Sequence, residues 1–93
     1  MKLREVVGFY GADMQLNIYI EELSELIKEL CKSKRGLGDY EHIAEEMADV
    51  RIIMEQLYII YGNADAVQRW YLHKLNRLQE RLEIDTKKEG VQG

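Results

Sequence analysis

Two pairs of acidic residues in this chain stand at spacings suited to metal chemistry. Glu22 and Glu25 lie in IEELSELIKEL, residues 20–30, and Glu46 and Asp49 lie in EHIAEEMADV, residues 41–50. A separation of three residues places two carboxylates on one helical face, a few ångströms apart. Two like charges at about 4 Å repel by roughly 4 kcal/mol at an effective dielectric of about 20. Two such pairs brought together across a helix–helix interface are therefore unfavourable without a cation. Hard divalent ions such as Mg²⁺ or Mn²⁺ reverse the sign, because they bind carboxylate oxygens and keep several waters for a phosphate substrate. The chemistry implied is metal-assisted reaction at phosphate.

Helices must supply those faces. Proline is absent, and long segments follow helical rather than alternating periodicity. Leu3, Val6, Val7 and Tyr10 share one side of a short first helix that Gly11 can close. A main helix is expected from near Asp13 to about Lys34, with an apolar stripe of Leu16, Tyr19, Ile20, Leu23, Leu26, Ile27 and Leu30. RGLGD, residues 35–39, breaks it. The next helix is expected to start after Asp39 as N-cap and to end at Gly62. Asn63 is expected to cap the last one, whose stripe is Val67, Tyr71, Leu75, Leu78 and Leu82. The spacing predicts an all-α fold, a compact bundle of three main helices plus the short N-terminal helix, completed by dimerisation. A single domain is expected over residues 1–85, with residues 86–93 a flexible C-terminal tail.

Rotation by about 100° per residue separates the two acidic pairs. On the first main helix Glu21, Glu22 and Glu25 fall away from the leucine stripe, which by itself describes an acidic solvent face. On the second, the main apolar face is Ile43, Met47, Val50, Met54, Leu57 and Tyr61. Glu46 projects within about 60° of that stripe's centre, and Asp49 is in line with Ile53 and Ile60. Burying ionised carboxylates costs several kcal/mol each unless a positive group compensates them. Ile52 and Ile59 make this helix apolar around most of its circumference, so it should be packed on more than one side, and a partner subunit is the natural source of that packing.

Composition narrows the class. A chain of 93 residues makes one domain with a modest core, so an oligomer is expected. Hydrophobic residues at 46% and charged residues at 32% fit a folded helical protein rather than a disordered one. A formal net charge of −4 argues against a nucleic-acid polymer as partner. Cys31, the sole cysteine, excludes an intrachain disulfide and a thiolate zinc site. No apolar run has the length of a membrane span and no secretory leader pattern opens the chain, so a cytoplasmic protein without membrane partners is expected. His42 and His73 read as surface or interface histidines. Neither follows a glutamate by three residues, as a di-iron carboxylate bundle would require.

Glu21-Glu22-Leu23-Ser24-Glu25 followed by Glu46-Met47-Ala48-Asp49 resembles the EExxE…ExxD motif of the MazG-like superfamily of all-α nucleoside triphosphate pyrophosphohydrolases. Residues 26–45 separate the halves, within the spacing that family tolerates, and the resemblance spans roughly residues 10–82. It implies that Glu22, Glu25, Glu46 and Asp49 ligate Mg²⁺, with Mn²⁺ possible. It also implies hydrolysis of a (deoxy)nucleoside triphosphate between the α and β phosphates, giving the monophosphate and pyrophosphate. Glu21 or Glu45 would orient or deprotonate the attacking water, acting as the catalytic acid–base group.

Basic residues would hold the rest of the triphosphate. Lys74 and Arg77, with Arg81, line one face of the last helix, and Arg35 approaches with Lys28 and Lys32 from the end of the first main helix. Gln15, with Asn17, Tyr10 and Trp70, is placed to meet a base. A homodimer or a dimer of dimers is implied. Two rivals remain: a non-catalytic helical dimer acting as a partner-binding or regulatory module and, within the superfamily, a phosphoribosyl-ATP pyrophosphohydrolase.

Overall fold

Helix boundaries fall where local chemistry demands them. Asp39 has extended backbone, and its Oδ1 accepts from the backbone N–H of Glu41 at 3.0 Å and of His42 at 3.4 Å. That satisfies two donors that an N-terminal helical turn leaves free. At the other end of the same helix Gly62 adopts φ 59°, a left-handed conformation open to glycine, and its N–H donates to the Tyr58 carbonyl. The computed structural model describes the backbone of residues 1–92. Its elements are α1 (Leu3–Tyr10), α2 (Ala12–Lys34), α3 (Tyr40–Tyr61) and α4 (Ala64–Gln92). Among the described residues there is no strand, so the fold is all-α. No described helix is long and apolar enough to cross a membrane.

The chain divides into two compact units, Met1–Gly62 and the residues from Asn63 onward. In the first, α1, α2 and α3 pack on one another. The second is α4, whose hydrogen-bonded turns continue through Lys87, Lys88 and Glu89 to Gln92. Those residues favour helix, which is why α4 runs on over positions whose composition suggests a tail; Gly93 lies outside the described residues. The Asn63 carbonyl accepts from Val67 N–H at 3.0 Å, but the side-chain Oδ1 of Asn63 has no hydrogen-bond partner among the described residues. The side-chain cap expected there is thus not made.

The inward faces of α2 and α3 differ from the stripes that their leucines and methionines suggest. On α2, Gln15, Tyr19 and Glu29 are buried, with Glu22 and Leu26 half-buried, a face at i, i+4, i+7, i+11 and i+14. Ile20, Ile27 and Leu30 of the expected stripe are exposed. Glu22 therefore faces inward, where the rotation of α2 taken alone puts it on a solvent face. On α3 the buried residues are Glu46, Ile53 and Gln56, flanked by half-buried His42, Asp49 and Ile60, while Met47, Met54 and Tyr61 are exposed. The physical reason is that the two helices meet through polar pairs, which turns each helix away from the centre of its own apolar arc.

Candidate metal centre

Three polar pairs join α2 to α3, and their numbering shows an antiparallel register. Gln15 meets Gln56 at 3.4 Å, Glu22 meets Asp49, and the Glu29 carboxylate lies 3.4 Å from His42 Nε2. Positions 15, 22 and 29 rise by seven along α2 while 56, 49 and 42 fall by seven along α3. Seven residues bring a helix back to within about 20° of the same direction, so the pairs stack as rungs about 10 Å apart.

The middle rung carries the acids. One carboxylate oxygen from each of Glu22, Glu46 and Asp49 lies within 4.8 Å of the others. Glu46 is only 7% exposed, and its Oε2 is buried with no hydrogen-bond partner among the described residues. Such an orphan is costly for a carboxylate, which normally fills its acceptor capacity when buried. The Glu22 carboxyl is held above the ordinary value of 4.5 by burial first, then by the charges of Asp49 and Glu46. A hydrogen bond to Asp49 that favours its protonated form adds to the shift, and Glu21 contributes last. Without a cation, then, a full set of negative charges at this site is unfavourable. A donor set of three carboxylates with an unsatisfied buried oxygen fits a hard divalent ion such as Mg²⁺ or Mn²⁺.

A second group adjoins the first through Glu46. His42, Glu45 and Glu46 also offer ligand atoms within 4.8 Å of one another, and His42 Nε2 is 3.9 Å from Glu46 Oε1. Buried Glu29 lies between His42 and Lys32, with Lys32 Nζ at 3.3 Å.

The other residues singled out from the sequence fall as follows. Glu25 is half-buried one turn beyond Glu22 and belongs to neither group. Glu21 is exposed, and so is Glu45, although Glu45 joins the His42 group. Arg35 is exposed at the C-cap of α2. Gln15 is buried against Gln56. Lys74 and Arg77 lie in the second unit, where they line a cavity of about 340 Å³ with Leu78 and Arg81. A cavity of about 220 Å³ in the first unit runs from Glu22 and Asp49 to Gln15, Tyr19 and Gln56. Its apolar wall is Ile18, Ile52 and Ile53.

Glu29, His42, Tyr19 and Gln56 were not singled out as site residues from the sequence. The signal that finds them is the seven-residue interval: Glu29 is seven beyond Glu22, and Gln56 and His42 are seven either side of Asp49. His42, which reads from the sequence as a surface or interface histidine, is half-buried between Glu29 and Glu46. These features define a class, an all-α chain in which two antiparallel helices converge carboxylates on one point. No family model, curated protein or solved structure matches the chain.

Proposed function

We propose that the chain is a Mg²⁺-dependent nucleotide pyrophosphohydrolase of the MazG-like kind. It would cleave a (deoxy)nucleoside triphosphate between the α and β phosphates to give the monophosphate and pyrophosphate. The observation that carries this reading is the buried, unpartnered Glu46 Oε2 within reach of Glu22 and Asp49. Glu22, Glu46 and Asp49 would hold the ion, and Glu25, one turn away on α2, completes the motif without sharing their group. When bound, Mg²⁺ would neutralise charge growing on the phosphate oxygens and acidify the attacking water.

The chain's own residues would do the rest. Glu45 is exposed beside His42 and Glu46, which suits it to accept the water's proton better than Glu21, which joins neither group. His42 would steady Glu46 through its Nε2. Lys74, Arg77 and Arg81 gather positive charge around a cavity within the second unit.

The reading is tested by incubating the protein with ribo- and deoxyribonucleoside triphosphates and Mg²⁺, and separating the products by chromatography. Monophosphate plus pyrophosphate is the expected result. Diphosphate plus orthophosphate would place the cleavage at another bond, and no turnover with any divalent ion would favour the non-catalytic helical module.

Assembly is part of the proposal. Ile20 and Ile27 on α2 are 67% and 63% exposed, and Met47, Tyr71, Leu78 and Leu82 are also open to solvent. Exposed apolar side chains within each unit support an interface, and a second copy of the chain is the proposed occupant, in a homodimer or a dimer of dimers. Sedimentation at micromolar concentration should show a dimer or larger species; a stable monomer would contradict it.

A further inference from the structure

The rung of Gln15 and Gln56 has no part in holding an ion, yet both side chains are almost fully buried, at 6% and 5% exposure. Gln56 Oε1 accepts from Gln15 Nε2 at 3.4 Å and from the Tyr19 hydroxyl. In this arrangement the Gln56 carbonyl faces both donors and its NH₂ is left over. Gln15, having given an N–H, is left with its carbonyl oxygen. No hydrogen bond to a described residue uses Gln56 Nε2 or Gln15 Oε1. Both residues line the cavity of about 220 Å³ whose other end is Glu22 and Asp49. A pair of nearly buried amides thus keeps the Gln56 NH₂ and the Gln15 carbonyl among its unspent groups, beside an open volume.

We infer that this rung is a nucleobase subsite, in which Gln56 Nε2 donates to and Gln15 Oε1 accepts from neighbouring groups on the base edge. The inference rests on the pyrophosphohydrolase reading, which puts the α-phosphate at the acid rung. Seven residues of helix separate the two rungs by about 10 Å. That is about the reach from an α-phosphate, across the sugar, to the hydrogen-bonding edge of its base. The volume is below the range of about 300–1,000 Å³ typical of whole-ligand pockets, so it suits the base end of a nucleotide rather than the complete triphosphate. Ile18 and Ile52 give the apolar wall that a base face requires. Side-chain amides read adjacent donor and acceptor groups in this way on adenine in DNA. A site built to hydrogen-bond a substrate discriminates strongly, because the wrong partner leaves its buried groups unpaired.

The test compares wild type with Gln56→Met and, separately, Gln15→Met, each close in shape to glutamine but without the amide. The readout is kcat/KM with Mg²⁺ for dATP, dGTP, dCTP and TTP. Wild type should favour one nucleotide, and each variant should lose at least about tenfold on that substrate while the ratio of best to worst substrate collapses toward one. Thermal unfolding of each variant checks the fold, and Gln15→Met stands as the second arm if loss of the Tyr19 bond unfolds Gln56→Met. Wild-type turnover with the selectivity ratio unchanged in a folded variant overturns the subsite and leaves the pyrophosphohydrolase reading standing. Absence of wild-type turnover on all four substrates overturns that reading, and the subsite with it.

Discussion

Glu46→Gln should reduce turnover more than about 100-fold while leaving the helices formed and the metal-free protein at least as stable as wild type. The kinetic part follows from position. Glu46 belongs to both groups of ligand atoms, so it is the one side chain whose charge bears on Glu22, Asp49, His42 and Glu45 together. Removing a residue that merely orients a metal ligand typically costs about 10–100-fold, and loss of a ligand should exceed that.

The stability part separates a functional carboxylate from a structural one. Glutamine keeps the shape of the side chain and removes its negative charge, which is one of the causes raising the Glu22 carboxyl above its ordinary value. A buried oxygen with no hydrogen-bond partner among the described residues has little to lose. If Glu46 instead served the fold, through its 3.9 Å approach to His42, the substitution would lower the unfolding temperature of the metal-free protein. Circular dichroism, thermal unfolding in chelator and the nucleotide assay together decide the matter.

How far the site could be read from the sequence depended on whether the information was local. Asp39 and Gly62 bound α3 by interactions within a few residues of themselves, and both boundaries are visible in the sequence. Glu46 and Asp49 stand out because they interrupt an apolar helix, so the direction of α3 alone shows them turned inward. Glu22 is different. Tyr19 belongs to the stripe that periodicity predicts, but the leucines and isoleucines of α2 centre that stripe elsewhere, and only the approach of α3 turns Glu22 and Gln15 inward.

The seven-residue interval marks the face that His42 and Gln56 share with Asp49, but not their partners. A helical projection fixes the face of each helix but not the register between two, and their roles depend on meeting Glu29 and Gln15, 13 and 41 positions away. Register between α2 and α3 comes from the turn at residues 35–39 and from packing, neither of which has a periodic signature. The same limit explains the misplaced apolar stripe. Ile20, Ile27 and Met47 follow the helical period, yet periodicity does not distinguish a face covered within the chain from one left exposed.

The second large effect concerns the response of stability to pH and to metal, and its two halves have opposite signs. Burial and the neighbouring charges of Asp49 and Glu46 raise the Glu22 carboxyl above 4.5 in the folded protein. The native state therefore binds the proton more tightly than the unfolded chain does. In chelator, the stability that Glu22 contributes is fully present below its unfolded value of about 4.5 and is lost as pH rises through the elevated folded value. The difference in unfolding temperature between wild type and Glu22→Gln should accordingly change across that window, with wild type the less stable of the two at neutral pH. Mg²⁺ competes with the same proton and should act in the other direction, stabilising most at neutral pH and fading as acid protonates Glu22. At about a hundredfold excess over its dissociation constant an ion bound only by the native state adds about 2.7 kcal/mol. For a domain of this size that corresponds to a rise of about 10 °C or more in unfolding temperature. Glu22→Gln should lose most of that rise, because the ion loses a charged ligand and the acid rung loses a third of its charge. An equal Mg²⁺ response in wild type and Glu22→Gln across the pH range would show that any bound ion sits away from the middle rung, and the proposed metal centre would fall with it.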